Sequence, residues 1–397
     1  MKVVTVMENT IVEGGGFSQA LNAILQMQRI CDGKFEFEVF TTQAENAIHL
    51  QKFDISVVIF KYSLIDKLLA KLSINALWQT IQNRVKIIGS FEKKLVERDC
   101  SLVYFVTPSG YVASLQRINY ITTVWDTCHR DTPEFPEVRD FNLFFTRDRN
   151  YKNYLSPAVT VLVDSVSSAD SISFRYGVDR KRLLPMPFAP SPFLDSGFSR
   201  SRNEVLKTYN LDTQYFFYPA QFWAHKNHIR ILEALLLLNR NNVKHTVVFS
   251  GGDQGNRAHI ESFVEKNNLG SQVRFLGFVP AEDMRGLYEG CQAVIMPTYF
   301  GPTNVPPLEA WMLGKPLIYS AQFSEQTKDA AVLVDPDDAS QLAEAITRCM
   351  DKGFTEKLVK AGRLRLQELD SENTISAEKL LTILNKFEQR MHCWGGK

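Results

Sequence analysis

The chain has 397 residues, 45% hydrophobic and 22% charged, with a net charge of +1. These values exclude domain-scale disorder and remove the simplest argument for nucleic-acid binding, which needs a basic patch. The length favours two domains over one. Six cysteines, at positions 31, 100, 128, 291, 349 and 393, contain no CxxC pair. That pattern points to free thiols in a reducing cytosol rather than a disulfide framework or a zinc site. The opening MKVVTVMENT reads as a strand and not as a signal peptide. No apolar run reaches the roughly 20 residues that span a bilayer. The expected location is the cytoplasm, with peripheral contact at the inner face of the membrane left open.

In chain order, short apolar runs alternate with helical patterns. Strands are predicted at Val3–Met7, Phe35–Thr41, Ile55–Phe60, Lys86–Gly89, Leu102–Thr107, Tyr120–Trp125, Phe141–Phe145 and Thr160–Val163. Near-continuous apolar strands separated by helices imply parallel sheets covered on both faces. The Pro-rich stretch LLPMPFAPSPF at 183–193 reads as a linker, since Pro neither donates to a ladder nor continues a helix. Beyond it, strands are expected at Phe216–Pro219, Thr246–Ser250, Val273–Leu276, Ala293–Met296, Pro316–Tyr319 and Ala331–Val334, with a helical tail from Ala339. The class is α/β, with one domain over 1–195 and a second over 196–397, and the terminal helix free to pack back on the first. Two such halves place a cleft between them, and ligands of open α/β sheets bind beyond the carboxyl ends of strands.

Three stretches at such ends could carry chemistry. Gly14-Gly15-Gly16 follows the first strand and opens a helix, which suits either a tight turn or an anion on free amides. Lys226, in FWAHKNH, lies where a helix begins. The helix dipole disfavours a cation there unless an anion shares the place, so the residue is either a solvated lysine or an anion ligand. His225 and His228 have no third partner that would make a metal site. The stretch FGPTNVPPLEAWMLGKP at 300–316 reads as loop, helix and turn. Asn304 is a good N-cap, Pro306-Pro307 pre-set the first turn, and Gly314 caps the end. The amides of Asn304 and Val305 would face an anion. Glu309 either receives two hydroxyl hydrogen bonds, as from a ribose diol, or merely complements the dipole.

These residues resemble the retaining nucleotide-sugar glycosyltransferases of family four, with the GT-B fold of two facing Rossmann-like domains. The resemblance is closest over 215–340. The family motif E-G-F-G-L-P-x-L-E-A matches Gly301-Pro302-Thr303-Asn304-Val305-Pro306-Pro307-Leu308-Glu309-Ala310. By resemblance Glu309 binds the ribose. The first motif glutamate, which meets the donor sugar in relatives, is replaced by Gly301, with Thr303 or Asn304 as substitutes. Of the Arg and Lys that clamp the diphosphate, Lys226 matches and Gln221 stands in the arginine's place. FLGFVP at 275–280, with Phe278 and Val279, resembles the segment bordering the base, and Gly251 follows a neighbouring strand. In TTVWDTCHRD, Trp125 takes the place of the family histidine, Asp126 matches, and His129 follows three residues on.

The resemblance implies transfer of a hexose from a nucleoside-diphosphate sugar, GDP-mannose or a UDP-hexose, to a glycan or lipid-linked acceptor in bacterial surface polysaccharide synthesis. Lys226, Glu309, His129 and Asp126 are the expected catalytic group. Gly15, Gly16, Gln221, Lys226, Gly251, Phe278, Val279, Gly301, Thr303, Asn304, Val305 and Glu309 are the expected donor contacts. No cofactor, metal or nucleic-acid partner is expected. Three other readings share these features: a nucleotide-sugar epimerase, a non-catalytic nucleotide-sugar-binding scaffold, and a dinucleotide oxidoreductase. The last is disfavoured by the missing GxGxxG and the lack of an acidic residue about 20 positions on.

Overall fold

The computed structural model describes residues 1–394 except 74, 86, 141, 142 and 213. The chain forms two compact units. The first comprises Met1–Pro133, Val138–Pro187 and Ser371–Lys397; the second comprises Glu134–Glu137 and Phe188–Asp370.

Among the described residues of the first unit, seven strands form one sheet. They are β1 (Lys2–Met7), β2 (Glu36–Thr41), β3 (Val57–Ile59), β4 (Leu102–Phe105), β5 (Asn119–Val124), β6 (Thr160–Val163) and β7 (Leu183–Pro185), in the order β3-β2-β1-β4-β5-β6-β7. Every pairing is parallel. Strands such as VVTVM and LVYF are buried along their length because helices cover both faces of a parallel sheet. Phe40, Phe60, Phe91, Phe105, Tyr151 and Tyr154 fill much of this core.

The second unit holds β8 (Tyr215–Pro219), β9 (Thr246–Ser250), β10 (Val273–Phe275), β11 (Ala293–Met296), β12 (Leu317–Ser320) and β13 (Val332–Val334). Their order is β10-β9-β8-β11-β12-β13, again all parallel. In each sheet the order of strands reverses once, between β1 and β4 and between β8 and β11. At such a point the loops leaving two adjacent strands turn opposite ways and open a crevice. The loop after β8 carries Lys226, and the loop after β11 carries Gly301–Asn304.

Three predicted elements differ. Phe141–Phe145 was expected as a strand; residues 141 and 142 lie outside the described residues, and Leu143 opens the helix Leu143–Tyr154. Its aromatics suggested a strand, but Tyr151 and Tyr154 return to the core at helical spacing. Lys86 likewise lies outside the described residues, and 87–89 form no strand but lead into the helix Ser90–Glu97. The stretch 183–193 is not simply a linker. Leu183–Pro185 is β7, an edge strand, where a proline lacking an amide is tolerated.

Among the described residues no disulfide joins any of the six cysteines, of which five are buried and Cys393 is exposed. Among the described residues no helix is long and apolar enough to cross a membrane.

Candidate functional site

The site in the second unit is built by stitching the loop after β8 to the loop after β11. Ala224–Lys226 forms a 3-10 turn, and Asn227, at φ 57°, reverses the backbone into the helix His228–Arg240. Lys226 thus precedes the helix instead of opening it. Asn227 Nδ2 donates to the carbonyls of Pro297, at 3.1 Å, and Pro336, at 2.8 Å. The Tyr218 hydroxyl donates to the Lys226 carbonyl at 2.8 Å. The His225 carbonyl accepts from the Tyr299 amide at 2.9 Å. These bonds fix the backbone that presents the lysine. Its Nζ then donates to Asn304 Oδ1 at 3.3 Å.

Asn304 is the residue before the helix Val305–Met312, with Pro306 in the first turn. Its side chain does not cap that helix, which corrects the expectation. Nδ2 donates instead to the carbonyls of Phe300 and Gly301, at 3.2 and 2.9 Å, and to the Tyr319 hydroxyl at 2.7 Å. Nor does its amide face an open anion site. Asn304 N donates to Gln326 Oε1 at 3.0 Å, and Gln326 Nε2 returns a bond to the Asn304 carbonyl at 2.7 Å. The Tyr319 hydroxyl closes the ring by donating to Gln326 Oε1 at 3.0 Å. Arg365 Nε holds the Gln326 carbonyl at 2.9 Å. Gln326 and Tyr319 are buried, so this network is rigid rather than solvent-exchanged.

Gly301 sits at φ 95°, a conformation that glycine alone adopts readily. A Cβ there would lie 2.7 Å from Asn304 Nδ2 and 2.9 Å from its Oδ1. The Asn304 carboxamide therefore occupies the space that a side chain at 301 would need. Gly301 and Asn304 are a matched pair, and Thr303 lies between them on the same turn.

Glu309 is 7% exposed, one turn into the helix. Its Oε2 accepts from the Tyr288 hydroxyl at 2.5 Å. Burial pushes the carboxyl up to about 7, against the opposing effect of hydrogen bonds from Tyr288 and the Ser191 amide. The helix ends at Met312, with Leu313 as cap and Gly314 just beyond, at φ 65°.

The loops after β8, β9 and β10 are bonded in register. Ala220 N donates to the Ser250 carbonyl at 2.9 Å and Gly251 N to the Gly277 carbonyl at 2.8 Å. A Cβ on Gly251 would meet the Ala220 carbonyl oxygen at 2.4 Å, so the glycine serves this close approach of backbones. Phe278 is exposed and Val279 buried. Gln221 accepts from Trp223 Nε1 at 3.1 Å.

Sequence reasoning missed the support behind Lys226. Glu137 accepts from the His225 amide at 3.1 Å and also bonds its ring Nδ1. Burial alone would raise the Glu137 carboxyl, but the bonds from His225 outweigh it and the net shift is downward. The His225 ring stacks on Phe300, with centroids 4.1 Å apart. Glu137 is 88 residues from His225 in sequence, so no local pattern could have revealed it. Gln326 and Tyr319 were equally silent as an ordinary glutamine and a strand tyrosine.

In the first unit, Gly14, at φ 61°, precedes the helix Gly15–Cys31. A Cβ on Gly16 would lie 3.5 Å from the Trp125 ring, which makes that glycine a packing partner of Trp125. Asp126 accepts from the Cys128 amide at 3.0 Å and pairs with Arg147 at 2.8 Å. His129 is fully buried, 3.1 Å from the Tyr176 hydroxyl and edge-on to Phe144 and Tyr151. The structure thus gives His129 an interior place and does not bring it to a surface where a substrate could touch it. Burial pushes its imidazole down to about 4. Among the described residues no group of three or more His, Cys, Asp or Glu is placed to hold a metal ion.

Comparison with known proteins supports the fold and the second unit. Residues 202–365 match the family model of glycosyl transferases group 1. Over 186 residues the chain is 28% identical to O-antigen chain mannosyltransferase B of Escherichia coli, covering 45% of this chain and 49% of that protein. The alignment thus spans about half the length of this curated relative. A glycosyltransferase from Rickettsia africae superposes with a TM-score of 0.69 at 12% identity, covering 97% of this chain and 98% of that one. HepE of Anabaena, solved with UDP-glucose, superposes with a TM-score of 0.71 at 16% identity, covering 96% and 100%. The chain therefore has the GT-B fold class of two parallel-sheet Rossmann-like domains, and its residues 202–365 are similar to the glycosyl transferases group 1.

Proposed function

We propose that the protein is a retaining glycosyltransferase of family four. It moves a hexose from a nucleoside-diphosphate sugar, GDP-mannose or a UDP-hexose, to a glycan or lipid-linked acceptor in surface polysaccharide synthesis. The observation that carries this reading is the Lys226–Asn304 contact at the strand-order reversal of the second sheet, inside the matched stretch 202–365. The mannosyltransferase relative and the neighbour holding UDP-glucose support the substrate class.

Breaking an anomeric C–O bond puts positive charge on the sugar ring and negative charge on the departing diphosphate. A preorganised cation at the leaving group is then the main protein contribution. Lys226 has its backbone held by Tyr218 and its flanking residues His225 and Asn227 bonded to the β11 loop, so its charge needs little reorganisation. Glu309, once ionised, accepts the ribose hydroxyls; Tyr288 yields to them or shares them. Retaining glycosidases use two carboxylates about 5 Å apart. Here the reading is instead same-face attack, in which the leaving phosphate takes the acceptor proton. No metal enters the scheme, because Lys226 supplies the charge at the diphosphate. Turnover in excess EDTA equal to that without it is the expected result.

The decisive experiment is thermal stabilisation by GDP, UDP, ADP and NAD on the wild type and on Glu309→Ala. A ligand at 100 times its dissociation constant adds about 2.7 kcal/mol. Stabilisation by one nucleoside diphosphate, lost in the variant, supports the reading and identifies the base. Stabilisation by NAD alone overturns it. Binding of a nucleoside diphosphate without transfer from its sugar to any glycan would favour a scaffold, a reading that Gly301 and Gln221 keep in view.

A further inference from the structure

His225 stands between the two loops that build the site in the second unit. It immediately precedes Lys226, so its backbone sets the direction in which the lysine leaves the turn Ala224–Lys226. Its carbonyl accepts from the Tyr299 amide at 2.9 Å and from the Thr298 hydroxyl at 3.3 Å, both just beyond β11. Its ring lies within 9° of parallel to the Phe300 ring. The Phe300 carbonyl in turn accepts from Asn304 Nδ2 at 3.2 Å. His225 therefore reaches both partners of the Lys226–Asn304 contact, one through the next peptide and the other through Phe300.

What holds His225 comes from far back in the chain. Glu134–Glu137 belongs to the second unit, although the residues on either side of it belong to the first. Phe135 packs edge-on to Phe300, with centroids 5.2 Å apart, and against Tyr299 at 5.3 Å. Pro136 opens the single turn Pro136–Arg139, which includes Glu137. One oxygen of Glu137, Oε1, accepts from the His225 amide at 3.1 Å and also bonds ring Nδ1. A carboxylate accepting at Nδ1 fixes the tautomer and the rotation of the ring. Both residues are buried, so water competes little for these bonds. Burying a carboxylate is costly unless its bonds are well made, and here Oε1 makes both to the residue beside the cation. We propose that Glu137 is a positioning residue for the donor diphosphate. Through His225 it keeps the loops of Lys226 and Asn304 in register, so the ammonium meets the anion without rearrangement. The place of Oε1 matters here more than the charge it carries. The inference rests on the reading of Lys226 as a diphosphate ligand and deepens it.

Titration calorimetry of the full chain with GDP, UDP, guanosine and uridine tests it. In the wild type the diphosphate that binds should bind more tightly than its nucleoside, and Lys226→Ala should lose that advantage. Glu137→Asp keeps the charge and retracts the oxygen by one methylene. It should weaken diphosphate binding about tenfold and leave nucleoside affinity within about twofold. Glu137→Gln drops the charge and keeps an oxygen in the Oε1 place, so its diphosphate affinity should stay within about threefold of wild type. In the Lys226→Ala background Glu137→Asp should change diphosphate affinity less than about twofold, because it acts through the lysine. Equal losses of diphosphate and nucleoside in Glu137→Asp would make Glu137 a brace for the fold only and overturn the proposal. So would a loss of the same size with and without the lysine, or Glu137→Gln as weak as Glu137→Asp. A wild type that binds neither GDP nor UDP sinks the transferase reading and this inference together. A wild type that binds one of them, with Glu137→Asp its equal, sinks the inference alone.

Discussion

Lys226 Nζ meets Asn304 Oδ1 at 3.3 Å although 78 residues separate the two. One belongs to the loop after β8 and the other to the loop after β11, the two strands at which the second sheet reverses its order. The contact orients the ammonium within the crevice, and a bound diphosphate would compete for it with two charges. Lys226→Ala should lower turnover by about 10² to 10³, the usual cost of one donor to a developing anion. Asn304→Ala should cost less, because the lysine charge survives and only its direction is lost. Steady-state kinetics on both variants checks the order. Equal turnover of Lys226→Ala and wild type would remove the lysine from the site.

Gly301 and Asn304 predict a paired failure. With φ at 95° and Asn304 in the space of a Cβ, Gly301→Ala should destabilise the fold by about 1–3 kcal/mol. Gly301→Glu, the residue of the motif that this stretch resembles, should be no better, since the carboxamide of Asn304 still blocks it. Denaturant unfolding measures both. Wild-type stability of Gly301→Glu would show that the loop has a second conformation.

Glu309 sets a pH dependence. Its carboxyl titrates at about 7 in the folded protein against an ordinary 4.5. Between those values the native state binds the proton and the unfolded chain does not, so stability falls as pH rises from about 4.5 to about 7. At about 1.4 kcal/mol per pH unit the loss from this group is about 3 kcal/mol. Glu8, also pushed up to about 7 by burial, contributes in the same direction. Glu309→Gln should therefore flatten part of the wild-type slope and be the more stable protein at pH 8. Nucleoside-diphosphate affinity should rise with pH through about 7, because ribose hydroxyls donate to the ionised form. Calorimetry of the two chains at pH 5 and pH 8 checks both signs.

His129 gives the opposite slope. Burial holds the imidazole neutral down to about 4, against an ordinary 6.5. The unfolded chain binds its proton first, so this stability is full above pH 6.5 and lost as pH falls towards about 4. His129→Asn should weaken that acid sensitivity while turnover at pH 8 changes less than tenfold, in contrast to Lys226→Ala. A loss as large as that of the lysine variant would return His129 to the reacting groups.

Much of the architecture was legible because parallel sheets leave a strong trace. Strands buried on both faces must be near-continuously apolar, and VVTVM, LVYF, TVLV and AVIM could hardly be anything else. The motif order was legible too, since loops at strand ends carry Gly, Pro and Asn for local backbone reasons. Leu143–Tyr154 was misread because aromatics serve a core equally well at strand or helical spacing. Leu183–Pro185 was misread because a proline ends a ladder only where its missing amide is needed.

From its sequence alone this chain determined two α/β halves, a lysine and a GPTN turn at strand ends, and a proline-started helix with Glu309 one turn in. These follow from spacing and backbone preference, which act over a few residues. Only the tertiary structure decided that Lys226 points at Asn304 and that Gln326 takes the Asn304 amide. It also decided that Glu137 braces His225 and that His129 is interior. Those outcomes depend on which side chains meet across tens of residues, where packing and hydrogen-bond satisfaction, not local propensity, choose the partner.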